Sequence, residues 1–376
     1  MKIAILGGAF NPVHREHVNL AKAAVKELGL DKIIIMPTAV SPHKSGKILA
    51  DFWQRFEMCR FAFSSIEEAE VNGYELSHGG VSYTYLTCEH FADLYPGAKR
   101  YFIIGADMLG DFPNWKNPQE ILKTFKLAAC ARENSSDFLK YKKEVEERFS
   151  TTVETISYVG EKVSSTHIRT LAALGEDISG FVNDKVGQYI KDNGIYALKN
   201  LWKVKDMLKP ERWQHTLRVA DMCVKNCSRV GLDEKSAIVM AALHDCAKYL
   251  DADSPYLKGF TFPEVPKPVI HQFSGAFVAE HTFGITDKKI LSAISCHATG
   301  KPQMSETDML LYLCDMLEDG RTFDGVEYLR EEFKKSIKGG MLAALKHQLK
   351  YLASTGAEVD ENTLKTYNWL KETYDK

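Results

Sequence analysis

Short apolar runs and longer amphipathic stretches alternate through the first half of the chain. The runs Ile3–Leu6, Ile33–Met36, Tyr101–Ile104 and Leu127–Ala131 are apolar at every position and too short for helices. That pattern predicts strands covered on both faces of a parallel sheet. Between them, His17–Leu28 and Phe52–Ile66 repeat apolar residues at helical spacing. Strands alternating with helices predict an α/β fold on a doubly wound parallel sheet. The charged segment Asp137–Phe149 keeps apolar positions a turn apart, so it predicts a surface helix.

From about Lys199 the strand signal disappears. Ser236–Tyr249, Lys288–Cys296 and Asp308–Leu317 predict helices, and the charged segment Lys199–Pro210 reads as helical too. The second half is therefore expected to be an all-α domain, with one domain over residues 1–198 and another over 199–376. The segment Lys258–Pro268, rich in glycine and proline, predicts a loop that could cover a site.

A length of 376 residues fits two domains. A net charge of -2 argues against a general binder of nucleic acid or anionic membranes, so phosphate chemistry must rest on local basic groups. The opening strand is too short for a signal peptide, and no apolar run reaches membrane-spanning length. The 8 cysteines form no Cys-x-x-Cys pair and read as reduced, buried thiols. A cytoplasmic protein acting on small molecules is expected; the composition neither requires nor excludes a homo-oligomer.

Candidate chemistry begins where the first strand ends. Gly7-Gly8-Ala9-Phe10-Asn11-Pro12-Val13-His14-Arg15-Glu16-His17 joins a glycine turn to a helix start. Glycines let backbone N–H groups approach a phosphate, and the helix N-terminus adds partial positive charge. His14 and His17 share one face of the first turn, where imidazoles can donate to triphosphate oxygens. The segment resembles the nucleotidyltransferase signature. Pro37–Lys44 is similar to that superfamily's substrate loop, Gly105-Ala106-Asp107 with Trp115 to its Gly-Ala-Asp…Trp block, and Ser164-Ser165-Thr166-His167-Ile168-Arg169 to its Ser-Ser-Thr-x-Ile-Arg motif. Ser82-Tyr83-Thr84-Tyr85 resembles the nicotinate-contacting turn of the nicotinate-mononucleotide adenylyltransferase branch. The resemblance runs over about residues 1–198. It implies a Rossmann-like fold, ATP with Mg2+, and catalytic roles for His14, His17, Lys44 and Arg169. It also implies nucleotide contacts from Gly7, Gly8, Phe10, Gly105, Asp107, Ser164 and Thr166, and substrate contacts from Lys44, Thr84, Tyr85, Trp115 and Arg132. Plainer readings are core filling for Trp115 and a turn or cap for Asp107. One departure stands out. The family's usual glycine between the two histidines is Glu16 here, and a carboxylate there repels polyphosphate unless it points away or meets magnesium.

In the second half the series His215, His244-Asp245, His271, His297, Asp315 sits in or beside predicted helices. Ala237–Tyr249 is expected to carry His244 and Asp245 within one helix. Histidines and aspartates from several helices make a metal cage, and nitrogen and oxygen ligands suit iron, manganese or zinc rather than calcium. Six candidate ligands suggest two metals sharing bridges. The ordered series resembles the HD phosphohydrolase superfamily over about residues 205–335. Its local contexts resemble the small bacterial HD proteins that hydrolyse diadenosine tetraphosphate. This implies two divalent transition metals, iron first among them, with Asp245 and Lys248 catalytic and Arg321 on phosphate. Lys248 and Arg321 also have a plainer reading as surface charge. Alternatives for this half are cleavage of another nucleotide phosphoester, or nucleotide binding for regulation alone. His90 and His281 fall outside the pattern and read as structural.

Overall fold

Among the described residues, six parallel strands form one sheet: β1 (Lys2–Gly8), β2 (Lys32–Pro37), β3 (Ala69–Val71), β4 (Lys99–Gly105), β5 (Lys126–Arg132) and β6 (Glu154–Gly160). Their order is β3-β2-β1-β4-β5-β6. The computed structural model describes residues 1–39, 50–132, 136–161 and 163–374. Among the described residues, nine helices surround the sheet: α1 (Arg15–Leu28), α2 (Phe52–Phe63), α3 (Tyr74–His78), α4 (Thr84–Leu94), α5 (Ala106–Asp111), α6 (Pro118–Thr124), α7 (Ser136–Phe149), α8 (Ser165–Ala173) and α9 (Asp184–Asp192). Central strands bury both faces. Ile3, Ile5, Ile34, Met36, Phe102, Ile104, Leu127 and Ala129 pack with Phe91, Leu109, Phe112 and Ile121 on one side. Ala4, Leu6, Ile33, Ile35, Ile103 and Ala128 are equally buried at the alternate positions. The strand order reverses direction at β1, between β2 and β4. In such sheets the crevice at the carboxyl ends of those strands is where ligands bind. Gly7, Gly8 and Gly105 end β1 and β4 there.

Two strands were not expected. β3 has three half-buried residues, and β6 buries only Ile156 among polar neighbours. Both are outermost strands of the sheet.

The described residues divide into two compact units, one of 1–39, 50–169 and 177–196, the other of 170–176 and 197–374. The second unit thus takes nine residues, 170–176 and 197–198, from the segment expected to lie wholly in the first. Glu176 explains this: its Oε1 accepts from Lys205 Nζ at 2.8 Å and from Trp213 Nε1 at 2.9 Å. The remaining helices are α10 (Val204–Met207), α11 (Pro210–Asn226), α12 (Glu234–Leu243), α13 (Ile270–His281), α14 (Lys288–Cys296), α15 (Glu306–Leu317), α16 (Val326–Lys335), α17 (Ile337–Thr355) and α18 (Glu361–Tyr374). Helices α11, α12, α14 and α15 pack around a core of Val219, Ala220, Met240, Ala241, Ile294, Leu310 and Leu313. The expected helix Ser236–Tyr249 is shorter: α12 stops at Leu243 and a turn follows. No described helix is long and apolar enough to cross a membrane.

Candidate functional site

The turn after β1 is held rigidly from below. Phe10 adopts φ 45°, the left-handed region, and buries its ring edge-on to His17 with centroids 5.1 Å apart. A side chain at Gly8 would meet that ring at 3.2 Å, so only glycine fits without the ring giving way. Arg55, buried on α2, donates to the carbonyls of Ala9 (2.8 Å) and Ala50 (3.2 Å). Asn11 Oδ1 accepts from Ala50 N–H and from the Tyr196 hydroxyl at 3.0 and 2.8 Å. Sequence reasoning missed Arg55; its signal is a lone arginine on the apolar face of α2.

His14 is the N-cap of α1, and its ring stacks on His17 at 3.7 Å. The His14 backbone N–H donates to His17 Nδ1 at 3.1 Å. An imidazole that accepts at Nδ1 carries its proton on Nε2, so His17 is preset as an Nε2 donor. The expected pair is therefore brought together at a helix N-terminus.

Ser164 caps α8, its Oγ accepting from His167 N–H at 3.1 Å. Ser165 Oγ donates to the Pro12 carbonyl at 2.9 Å, which ties this helix start to the glycine turn. Arg169 lies against the glycine turn. It is 3% exposed, with Nη1 donating to the Asn11 carbonyl (2.7 Å) and Nη2 to Thr166 Oγ1 (3.2 Å). A buried guanidinium needs such acceptors, here one carbonyl and one hydroxyl.

At the other expected subsite, Thr84 opens α4, and Tyr85 and Trp115 are half-buried against the same core. Trp115 packs edge-on to Phe102 at 6.0 Å. Asp107 lies exposed in the first turn of α5, two residues after Gly105. Glu75, not singled out from the sequence, lies beneath the Ser82–Thr87 turn and accepts from Thr87 Oγ1 at 3.2 Å and Ala39 N–H at 3.3 Å. Burial pushes its carboxyl up, against the pull of Ser82 and those two donors. Lys44 lies outside the described residues, and so does the side chain of Arg132.

The second unit gathers all six expected ligands. His215 comes from α11, His244 caps the C-terminus of α12, His271 opens α13, His297 caps α14, and Asp315 lies in the last turn of α15. His244 and Asp245 are thus just past a helix, where a helix interior was expected. Side-chain competition explains the stop: His244 Nδ1 bonds the carbonyl of Ala241 at 2.6 Å. His297 Nδ1 does the same with Ile294 at 2.8 Å, and His271 Nδ1 with Pro268 at 2.9 Å. Tying Nδ1 to a carbonyl fixes the tautomer and leaves Nε2 as the coordinating atom.

Those Nε2 atoms converge on two adjacent points. His215 Nε2 lies 2.9 Å and His244 Nε2 3.9 Å from Asp315 Oδ1, and His244 Nε2 lies 3.3 Å from Asp245 Oδ2. On the other side of the same carboxylate, Asp245 Oδ1 lies 3.2 Å from His271 Nε2 and 3.6 Å from His297 Nε2. The buried Nε2 atoms of His215 and His244 make no well-directed hydrogen bond. Orphaned buried nitrogens beside carboxylate oxygens are what a divalent metal satisfies, so the donor set fits two such ions. Burial lowers His244, and lowers His271 to about 4, despite the opposing pull of Asp245. Burial opposes charge on Asp245 too, but its imidazole partners hold it well below the usual carboxylate range. Neutral imidazoles with ionised aspartates are the metal-binding forms. Arg212 pairs closely with Asp245, Lys248 Nζ lies 3.3 Å from Asp245 Oδ1, and Arg321 Nη2 lies 3.2 Å from Asp315 Oδ1.

Glu318 was missed. It is buried at the end of α15, with Oε1 3.1 Å from His215 Nδ1, and it also pairs with Arg218. A carboxylate on the far nitrogen of a ligand histidine orients it and raises its basicity. Glu318→Ala should therefore weaken metal binding about 10- to 100-fold, read by titrating the metal-stripped protein. Unchanged affinity would reduce Glu318 to a buried ion-pair partner of Arg218.

Both halves of the chain are similar to known proteins. Residues 5–171 match a family model described as cytidylyltransferase-like, and residues 212–320 match the HD domain. A Clostridium tetani protein named a probable nicotinate-nucleotide adenylyltransferase is 38% identical over 197 residues, 52% of this chain and 98% of that protein. A Mycoplasma genitalium protein named a probable nicotinate-nucleotide adenylyltransferase/Ap4A hydrolase is 29% identical over 358 residues, 92% of this chain and 97% of that one. A solved structure described as a predicted HD superfamily hydrolase involved in NAD metabolism, from Clostridium acetobutylicum, covers 47% of this chain and 100% of its own, at 26% identity and a TM-score of 0.43.

Proposed function

This chain belongs to the nicotinate-nucleotide adenylyltransferase family and carries an HD domain behind the transferase half; from that premise we propose two activities. The first half transfers AMP from ATP to nicotinate mononucleotide, giving deamido-NAD and pyrophosphate. The observation that carries this is the His14–His17 pair at the α1 N-terminus, beside the glycine turn of β1. A 5′-phosphate oxygen of the mononucleotide attacks the α-phosphorus of ATP. The bond to the β-phosphate oxygen breaks, and pyrophosphate leaves. No side-chain nucleophile is needed, because positioning and charge stabilisation suffice. His14 and His17 donate to the oxygens that gain charge. Gly7, Gly8, Ser164 and Thr166 cradle the phosphates with backbone and hydroxyl donors, with Mg2+ accompanying ATP. Lys44 and Arg132 complete the phosphate and substrate contacts, while Phe10, Gly105 and Asp107 line the nucleotide.

Trp115 stacks on the pyridine ring, and Thr84 with Tyr85 and neighbouring amides takes the ring carboxylate. A site built to pair a carboxylate leaves donors unmatched against an amide. The kcat/KM for nicotinate mononucleotide should exceed that for the nicotinamide form by about 10²-fold or more. Equal values in a paired-substrate assay would remove the assigned carboxylate subsite.

The second half hydrolyses diadenosine tetraphosphate to two ADP. Its support is the cluster around His244 and Asp245, with Asp245 Oδ2 3.3 Å from His244 Nε2 and Oδ1 3.2 Å from His271 Nε2. His215, His244, Asp245 and Asp315 would hold one divalent metal, and Asp245, His271 and His297 a second, with iron first among the candidates. Such ions supply Lewis-acid charge and let a water attack at neutral pH. Lys248 and Arg321 neutralise the phosphate chain while the bond between its two middle phosphates breaks. The test is a nucleotide panel on metal-loaded full-length protein. ADP as the sole product from diadenosine tetraphosphate is expected; turnover of a different nucleotide in its place would reassign the substrate.

A further inference from the structure

Glu16 stands between the two phosphate histidines, yet its carboxylate is seated elsewhere. Oε2 accepts from the Tyr158 hydroxyl at 2.6 Å and from the Glu161 N–H at 2.7 Å, and Oε1 accepts from Asn19 Nδ2 at 3.3 Å. The seat also requires Gly160: a Cβ there would stand 2.6 Å from Glu16 Oε2. Tyr158 stays a donor throughout the working range, its phenol pushed up to about 12 by burial and by Glu16. Among the described residues β6 is the last strand of the sheet, so one side of its backbone has no strand partner there. Two carboxylates of α1 serve that side: Glu16 at Glu161 N–H, and Glu27 at Ser157 N–H, 2.8 Å. Beyond β6 the chain runs into Ser164 and α8.

We propose that Glu16 is a positioning residue for adenylyl transfer. Seated against Tyr158, Gly160 and Glu161, it locks the start of α1, with His14 and His17, to the strand that delivers Ser164 and Thr166. The two helix N-termini are thereby held at one spacing for a single triphosphate. The same seat draws a negative charge away from that triphosphate. The inference rests on the adenylyl-transfer reading.

The test uses full-length protein and four variants. Gly160→Ala unseats the carboxylate while leaving its charge, so KM for ATP should rise about tenfold, with KM for the mononucleotide unchanged. Glu16→Ala removes seat and charge together and should cost less. The double variant should return to the Glu16→Ala level, because no carboxylate remains to be expelled. Glu16→Gln, whose carbonyl still accepts from both donors, should rescue most of the loss. Calorimetric binding of a non-hydrolysable ATP analogue follows the same order without turnover. Gly160→Ala at wild-type affinity, or Glu16→Ala binding ATP more tightly than wild type, would overturn the proposal. Should Gly160→Ala fail to fold, Tyr158→Phe takes its place, with a smaller loss expected. Wild-type protein that binds the analogue but makes no deamido-NAD would instead sink the reaction assignment, leaving the binding comparison to judge Glu16.

Discussion

Asp245→Ala should strip both metals from the helical unit and lower hydrolysis by more than about 10³-fold, while adenylyl transfer continues at nearly the wild-type rate. The reason is that both oxygens of this carboxylate are used. Oδ2 faces His244, and Oδ1 faces His271 and His297. His244 also stands close to both sets of ligands, but Asp245 is the carboxylate that faces imidazoles with each of its oxygens, so its loss weakens both at once. Removing it also takes a counter-charge from the half-buried Arg212 and Lys248, leaving Asp315 to face Arg212, which lowers stability. Asp245→Asn keeps the volume and separates the two effects. It should still lose metal, since an amide is a poor bridge, but fold more firmly than the alanine variant. Metal content by elemental analysis, with ADP release and deamido-NAD formation assayed on one preparation, decides the matter. Retained hydrolysis without metal would place the chemistry elsewhere.

The central strands were legible because each is covered on both faces, which leaves an unbroken apolar run such as Ile33–Met36. β6 was not, since Glu154–Gly160 buries a single residue and its polar outer positions resemble a loop. The end of α12 was hidden for the opposite reason. His244, Asp245, Cys246 and Ala247 are all buried, so the apolar pattern of the helix continues through a turn that is no longer helical. Periodicity reports burial, and a helix end set by an imidazole on a carbonyl three residues back leaves no trace in it. The grouping of His215, His244, Asp245, His271, His297 and Asp315 was anticipated from their order along the chain, which resembles a known superfamily. Arg169, Glu318 and Glu16 were harder. Their partners are the Asn11 carbonyl, His215 and Tyr158, far away in the chain, and only the fold brings these together.

His17→Ala should lower kcat for adenylyl transfer by about 10²-fold or more, with a smaller change in KM for ATP. The residue has two jobs that one substitution confounds. Its Nδ1 accepts the His14 N–H and so closes the first turn of α1, and loss of such a cap costs about 1 kcal/mol. Its Nε2 proton, fixed by that same bond, is the donor available to the oxygens that gain charge as the α-phosphorus is attacked. Interactions stronger in the transition state than in the ground state raise kcat, whereas a cap acts on stability. His17→Asn divides the two, because its carbonyl can still accept from His14 while the imidazole is gone. The expected result is a melting temperature near wild type together with the same large loss in kcat. A His17→Asn enzyme turning over at the wild-type rate would leave the histidine as a helix cap only, and would shift the transition-state charge onto His14 and the backbone of the glycine turn.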